Sequence, residues 1–167
     1  MLRPQDLALA LRVALNGGPR LTLEELAAAL SISVSEAHAA VKRATAAGLL
    51  RPDRQANRTA LVEFIVHGMK YVFMPRRGPL TRGMPTAHGA PPLDTLVGST
   101  AEPPPVWPDA DGTVRGESFE PLYRSVPKAA KKDPQLYQAL CLVDAIRGGR
   151  ARDRAIAEKL IKEMLNA

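Results

Sequence analysis

The chain has 167 residues, with 23 Lys and Arg against 17 Asp and Glu and a net charge of +6. That length suits one domain, or one small domain with an appendage, and can bury a real core. A single cysteine, Cys141, excludes an internal disulfide framework. No apolar run approaches the roughly 18 residues a membrane span needs, and the N-terminus has no basic-then-apolar leader, so a reducing cytoplasm is the expected compartment.

Alanine and leucine dominate the apolar content and aromatics are few, which favours helix over sheet. Charge is unevenly spread. Residues 1–92 carry twelve Lys or Arg against six Asp or Glu, residues 93–123 one against six, and residues 124–167 ten against five. Basic flanks attract phosphates by counterion release, although solvated surface charge gives the same composition.

The first predicted helix runs from Pro4 to Asn16, with Leu7, Leu11, Ala14 and Leu15 apolar and Asn16-Gly17-Gly18-Pro19 ending it. Two more helices follow. Thr22 and Glu25 have capping-box spacing, as do Ser33 and Glu36, and an apolar periodic run follows each pair. Ser31-Ile32-Ser33 is the turn between them. In the second, Ala37, Val41 and Ala44 face inward, while Ser35, His38, Lys42 and Thr45 point out with Arg43 beside them. Gly48 stops it, and Leu49-Leu50 returns to the core.

A helix so placed after a tight turn is a recognition-helix pattern for a DNA major groove. Ser33, Ser35, Lys42-Arg43 and Gly48-Leu49-Leu50 also resemble the winged helix-turn-helix of bacterial regulators of the MarR type, across roughly the first third of the chain. The resemblance implies a dimeric regulator of transcription that binds double-stranded DNA through residues 33–47.

Arg51 to Ala56 reads as a basic loop. Asn57 can cap a further helix through Leu61, Phe64 and Ile65 to His67-Gly68. Alternatively, Leu61 to Val66 is a strand and the wing lies near Arg54 to Arg58. A short strand is expected at Met69 to Met74, then a Gly-, Pro- and Arg-rich stretch through Arg76, Arg77 and Arg82 that serves as a displaced wing or a docking loop. From Thr86 to Pro127 prolines recur, so an extended segment is expected with Trp107 as its anchor. Asp133 caps and Pro134 opens a helix to about Arg147 that is apolar around most of its girth. Gly148-Gly149 ends it, and a final helix from Ala151 to Leu165 completes an antiparallel hairpin.

The expected fold is mainly α, a winged helix-turn-helix with a small β element, an extended acidic Pro-rich segment and a C-terminal helical hairpin. The matching division is 1–90, 91–127 and 128–167. Val66 to Phe73, Val106-Trp107-Pro108, Asp133 to Tyr137 and the Arg147 to Arg152 link resemble a group of bacterial winged-helix proteins. These look like regulators, or antitoxins paired with toxins such as nucleotidyltransferase-like proteins. In that alternative the winged fold is a scaffold, and the acidic Pro-rich segment wraps a basic partner.

Catalytic signals are thin. His38, His67 and His88 have no metal-ligand spacing, Cys141 lies on an apolar helix face, and Arg77-Gly78-Pro79 places a proline where a phosphate loop needs N–H groups. Neither an enzyme nor a cofactor is expected. The candidate DNA-binding residues are Ser33, Ser35, His38, Lys42, Arg43, Arg54, Arg58, Arg76 and Arg77. Ala39 and Ala40 stand where long base-reading side chains are common, so phosphate contacts should dominate.

Overall fold

The structure is a computed structural model that describes residues 1–166. It is mostly helical with one small three-stranded sheet. Helix α1 spans Pro4–Ala14, α2 Leu23–Leu30 and α3 Val34–Ala46. Proline at the first helical position opens α1, where its missing N–H costs nothing. The Asp6 carboxylate reaches back to the Arg3 N–H at 2.7 Å. Leu7 to Leu11 are all fully buried, not one face alone, because α1 packs against α2 and α3 and also against the C-terminal half of the chain.

The Thr22–Glu25 capping box forms in both directions, at 3.1 Å and 2.7 Å. The second pair forms only half of its expected box. Ser33 Oγ accepts the Glu36 N–H at 3.1 Å, but the Glu36 side chain turns away to Arg43 and Gln5. The turn between α2 and α3 is closed by Ser31 in the left-handed region (φ 53°) and by the Ile32 N–H on the Ala27 carbonyl.

After α3, Gly48 takes φ 79° and sends Leu49 and Leu50 into the core. A tight hairpin follows. Leu50 bridges Ala56, the Arg51 N–H donates to the Gln55 carbonyl, and Arg54 stands at the tip with φ 66°.

Asn57 caps α4, Arg58–Glu63, which settles the ambiguity over residues 57–68 in favour of helix. The helix does not end at His67-Gly68. It passes through a π-turn, Phe64–Gly68, into α5, Met69–Val72, so the strand expected at Met69 to Met74 is absent. Leu61, Ile65 and Met69 keep a buried face at spacing four. The π-turn inserts extra backbone into the helix and blurs the 3.6-residue period that sequence reading depends on. Gly68 leaves room there for the Phe64 ring, which a Cβ would approach to 2.8 Å.

The Gly-Pro-Arg stretch is a strand, not a loop. In the sheet, β1 (Arg77–Pro85) pairs antiparallel with β2 (Pro105–Pro108) and β3 (Val114–Phe119), and β2 and β3 run parallel. Each strand therefore borders the other two. A β-bulge between Arg77 and Leu80 bends β1. The segment expected to be extended from Thr86 to Pro127 thus contributes two strands, a short helix α6 (Leu93–Val97) and the start of α7 (Val126–Lys132). Prolines sit at both ends of β2 rather than inside it.

The C-terminal hairpin has the expected form, with α8 at Pro134–Gly148 and α9 at Ala151–Asn166. Asp133 Oδ1 caps α8 by accepting the Gln135 and Leu136 N–H groups. Residues Ala139 to Arg147 are all buried, as a helix apolar around its girth requires. The buried side chains form a single core cluster from α1 to α9.

A polar centre on α8 lies inside that core. Asp144 Oδ2 accepts from Thr86 Oγ1 at 2.6 Å and from Trp107 Nε1 at 2.7 Å, and Asp144 Oδ1 accepts from Arg147 Nε at 2.8 Å. Arg147 also donates to the Phe73 and Glu120 carbonyls. Trp107, expected to anchor an extended segment, lies instead in strand β2, fully buried in the core, and its partner is a carboxylate of α8.

Candidate nucleic-acid interface

The N-terminal end of α3 is presented by the turn before it. Ser33 and Ser35 are exposed there, with His38 one turn further on and Lys42 one turn beyond that. Thr45 continues the same stripe and is half-buried. Opposite stand Pro52 and Arg54 of the hairpin. His38, Lys42, Thr45, Pro52 and Arg54 border one open groove of about 550 Å³ floored by Leu23 and Val41, and no acidic residue lines it. The structure therefore brings His38, Lys42 and Arg54 together although twelve residues separate Lys42 from Arg54 in the sequence.

Arg43 does not join them. Its guanidinium forms a two-point bond to Asp6, Nε to Oδ2 and Nη2 to Oδ1, both at 2.8 Å, and Nη2 also donates to Glu36 Oε1 at 2.6 Å. The Asp6 side chain is completely buried. Arg43 thus fastens α3 to α1 and neutralises Glu36, the sole acid of α3. Its bond to Arg43 lowers the Glu36 carboxyl below the usual carboxylate range, and Asp6 raises the Arg43 guanidinium well above its ordinary value.

The remaining candidates are scattered. Arg58 is turned inward and donates to the Leu165 carbonyl of α9. Arg77 donates to the Gly148 carbonyl at 2.5 Å and lies 3.5 Å from Glu117, beside the α8–α9 turn. Arg76 is exposed at the same end, where its backbone N–H donates to Glu120 Oε2. Arg20, not singled out from the sequence, is exposed near the hairpin and donates to the Asp53 carbonyl at 3.3 Å. Its place after Gly17-Gly18-Pro19 gave no periodic signal.

Three of the six acids of the Pro-rich segment are in ion pairs within the chain. Glu102 pairs with Arg150, Asp109 with Lys131 at 2.5 Å and Glu117 with Arg77. The Lys131 ammonium holds the Asp109 carboxyl below its ordinary value. Cys141 is fully buried and its thiol is pushed well up by burial. Among the described residues no cluster of three or more His, Cys, Asp or Glu is placed to hold a metal ion. No helix among them is long and apolar enough to cross a membrane.

Compared with protein-family models, with curated proteins and with solved structures, the chain matches none.

Proposed function

We propose that the chain is a DNA-binding regulator of transcription that lays α3 on double-stranded DNA and acts as a dimer. The observation that carries this reading is the charge of α3. Its exposed stripe holds Ser35, His38 and Lys42, while its sole acid is cancelled by Arg43. A helix whose outer face is stripped of negative charge, bordered by a hairpin bearing Arg51 and Arg54 against the single acid Asp53, suits a polyanionic surface. The hairpin serves as a short wing on the flanking backbone. The free N–H groups at the start of α3, beside Ser33 and Ser35, suit a phosphate oxygen. Ala39 and Ala40 leave few side chains for base edges, so specificity depends on two half-sites read together.

The test is fluorescence anisotropy of the protein on its own upstream duplex and on random duplex across a salt series. Preference for the upstream duplex with steep loss on adding salt supports the reading. Equal, weak binding to both duplexes would sink it.

A further inference from the structure

The end of α5 carries an exposed apolar cluster that the helix-turn-helix does not use. Tyr71 is 77% exposed, Val72 57% and Met74 75%, in a run of four residues. These side chains are not on a fraying end. Met69 is fully buried one residue before Lys70, and Arg147 Nη1 holds the Phe73 carbonyl at 3.0 Å from the central helix α8. Pro75 packs so closely on Gly148 that a Cβ there would lie 2.6 Å from it. The cluster is displayed on a rigid base.

Cations surround it. Lys70, Tyr71, Met74, Arg77, Arg147 and Arg154 border a cleft of about 420 Å³ that no acidic residue lines. Arg147 is neutralised by Asp144 and Arg77 is partly balanced by Glu117. Arg154 donates only to the carbonyls of Ile146 and Gly149, and Lys70 stands 5.1 Å over the Tyr71 ring. Neither Arg154 nor Lys70 is in an ion pair among the described residues. Tyrosine, methionine and arginine around an apolar centre, with acids depleted, is the composition of a protein-binding surface.

We infer that this cleft docks an acidic segment of another protein, with an apolar side chain of the partner on Tyr71 and Met74 and its carboxylates on Lys70 and Arg154. The charge is complementary to such a segment and repels a basic one. Aliphatic Val72 and Met74 gain nothing from a phosphate backbone, which disfavours nucleic acid as the occupant. The cleft is built by α5, the start of β1 and the α8–α9 turn, whereas α3 packs on α1 and α2. A partner docked here leaves the α3 face open.

The test uses a fluorescein-labelled peptide of alternating glutamate and leucine with one phenylalanine, against a lysine counterpart and labelled oligo(dT). Saturable binding of the acidic peptide, weakened about tenfold or more by Tyr71→Ser with Met74→Ser and also by Lys70→Glu, is the expected result. Tyr71 and Met74 are exposed and Lys70 is half-buried, so circular dichroism should show the fold retained, and duplex DNA binding should be unchanged. Acidic-peptide binding that ignores these substitutions overturns the inference. So does no binding at all, oligo(dT) binding lost in Tyr71→Ser, or self-association by sedimentation that Tyr71→Ser abolishes. Because Lys42 and Arg54 are untouched, this outcome is independent of whether α3 binds DNA.

Discussion

Arg43 and Asp6 meet through two parallel bonds of 2.8 Å across the α1–α3 contact, with the Asp6 carboxylate completely buried. Two-point pairing fixes geometry as well as charge. It ties α3, the helix that carries Lys42 and His38, to α1.

Removing the arginine leaves a buried carboxylate without its partner. Arg43→Ala should therefore destabilise the fold by about 3 kcal/mol, the lower end expected for a broken buried pair, because Arg43 itself keeps some solvent contact. Urea unfolding followed by circular dichroism measures this. Asp6→Asn should cost less, since the amide can still accept one bond. If the proposed DNA binding holds, any loss of it in Arg43→Ala should follow from a loosened α3 and not from a lost phosphate contact, since the guanidinium is engaged by Asp6 and Glu36.

Lys42 and Arg54 are the cleaner probes of the interface. Each is free of ion pairs among the described residues, and both border the same groove. Lys42→Ala should lower duplex affinity with no change in unfolding midpoint. The slope of log affinity against log salt should fall by about 1 for a lost phosphate contact. Arg54→Gly should lower affinity similarly while relieving the left-handed backbone at the hairpin tip. An unchanged salt slope in both variants would place the DNA contact elsewhere or remove it.

Which parts of this architecture are legible in the sequence follows from how local their causes are. The caps at Thr22, Ser33 and Asp133 are settled by residues three apart, and each is found. The girth of α8 is likewise written in its own apolar run. The fate of Arg43 is not, because its partner Asp6 lies 37 residues away on another helix. Strand β1 is also hidden, since Gly78, Pro79, Gly83 and Pro85 contradict strand propensity, and only the approach of β2 and β3 makes them fit. At the candidate interface the outward stripe of α3 is legible from periodicity, while the joining of Arg54 to Lys42 depends on the hairpin closing at Leu50 and Ala56.

Acid should weaken the ion pairs Glu36–Arg43 within α3 and Asp109–Lys131. The folded-state pKa of Glu36 lies below its ordinary value, first because of the Arg43 bond, and that of Asp109 is lowered first by Lys131. A depressed carboxylate contributes stability that is present above its unfolded pKa and is lost as pH falls through the folded one. The unfolding midpoint should hold steady near neutrality and drop below the ordinary carboxylate range. Glu36→Gln should flatten that drop slightly, as the group is partly exposed and screened. A midpoint that rises on acidification would contradict this.

Asp144 should be the most sensitive side chain of the C-terminal half. It accepts from Thr86, Trp107 and Arg147 in a site closed to water. Asp144→Ala strands a buried guanidinium and should destabilise by about 3–5 kcal/mol. Thr86→Val removes one donor to a charged acceptor and should cost about 1.5–3 kcal/mol. Thermal and urea unfolding of the two variants tests the order, which inverts if the hydroxyl rather than the ion pair organises the site.

Gly83 gives the sharpest test of the sheet. A Cβ at this residue would lie 2.0 Å from the Trp107 carbonyl oxygen and 3.1 Å from Val106 Cβ. Both neighbours belong to β2, and the clash is with backbone, so no rotamer change relieves it. Gly83→Ala must push β2 away from β1, and with it Trp107 from Asp144. The expected result is a loss of at least about 2 kcal/mol and a red-shifted emission from Trp107, the sole tryptophan, as its ring gains water. Gly17→Ala is the control, since its Cβ would meet nothing within 4 Å. Equal effects of the two substitutions would mean that glycine's flexibility, not the close approach of the strands, is what the sheet requires at Gly83.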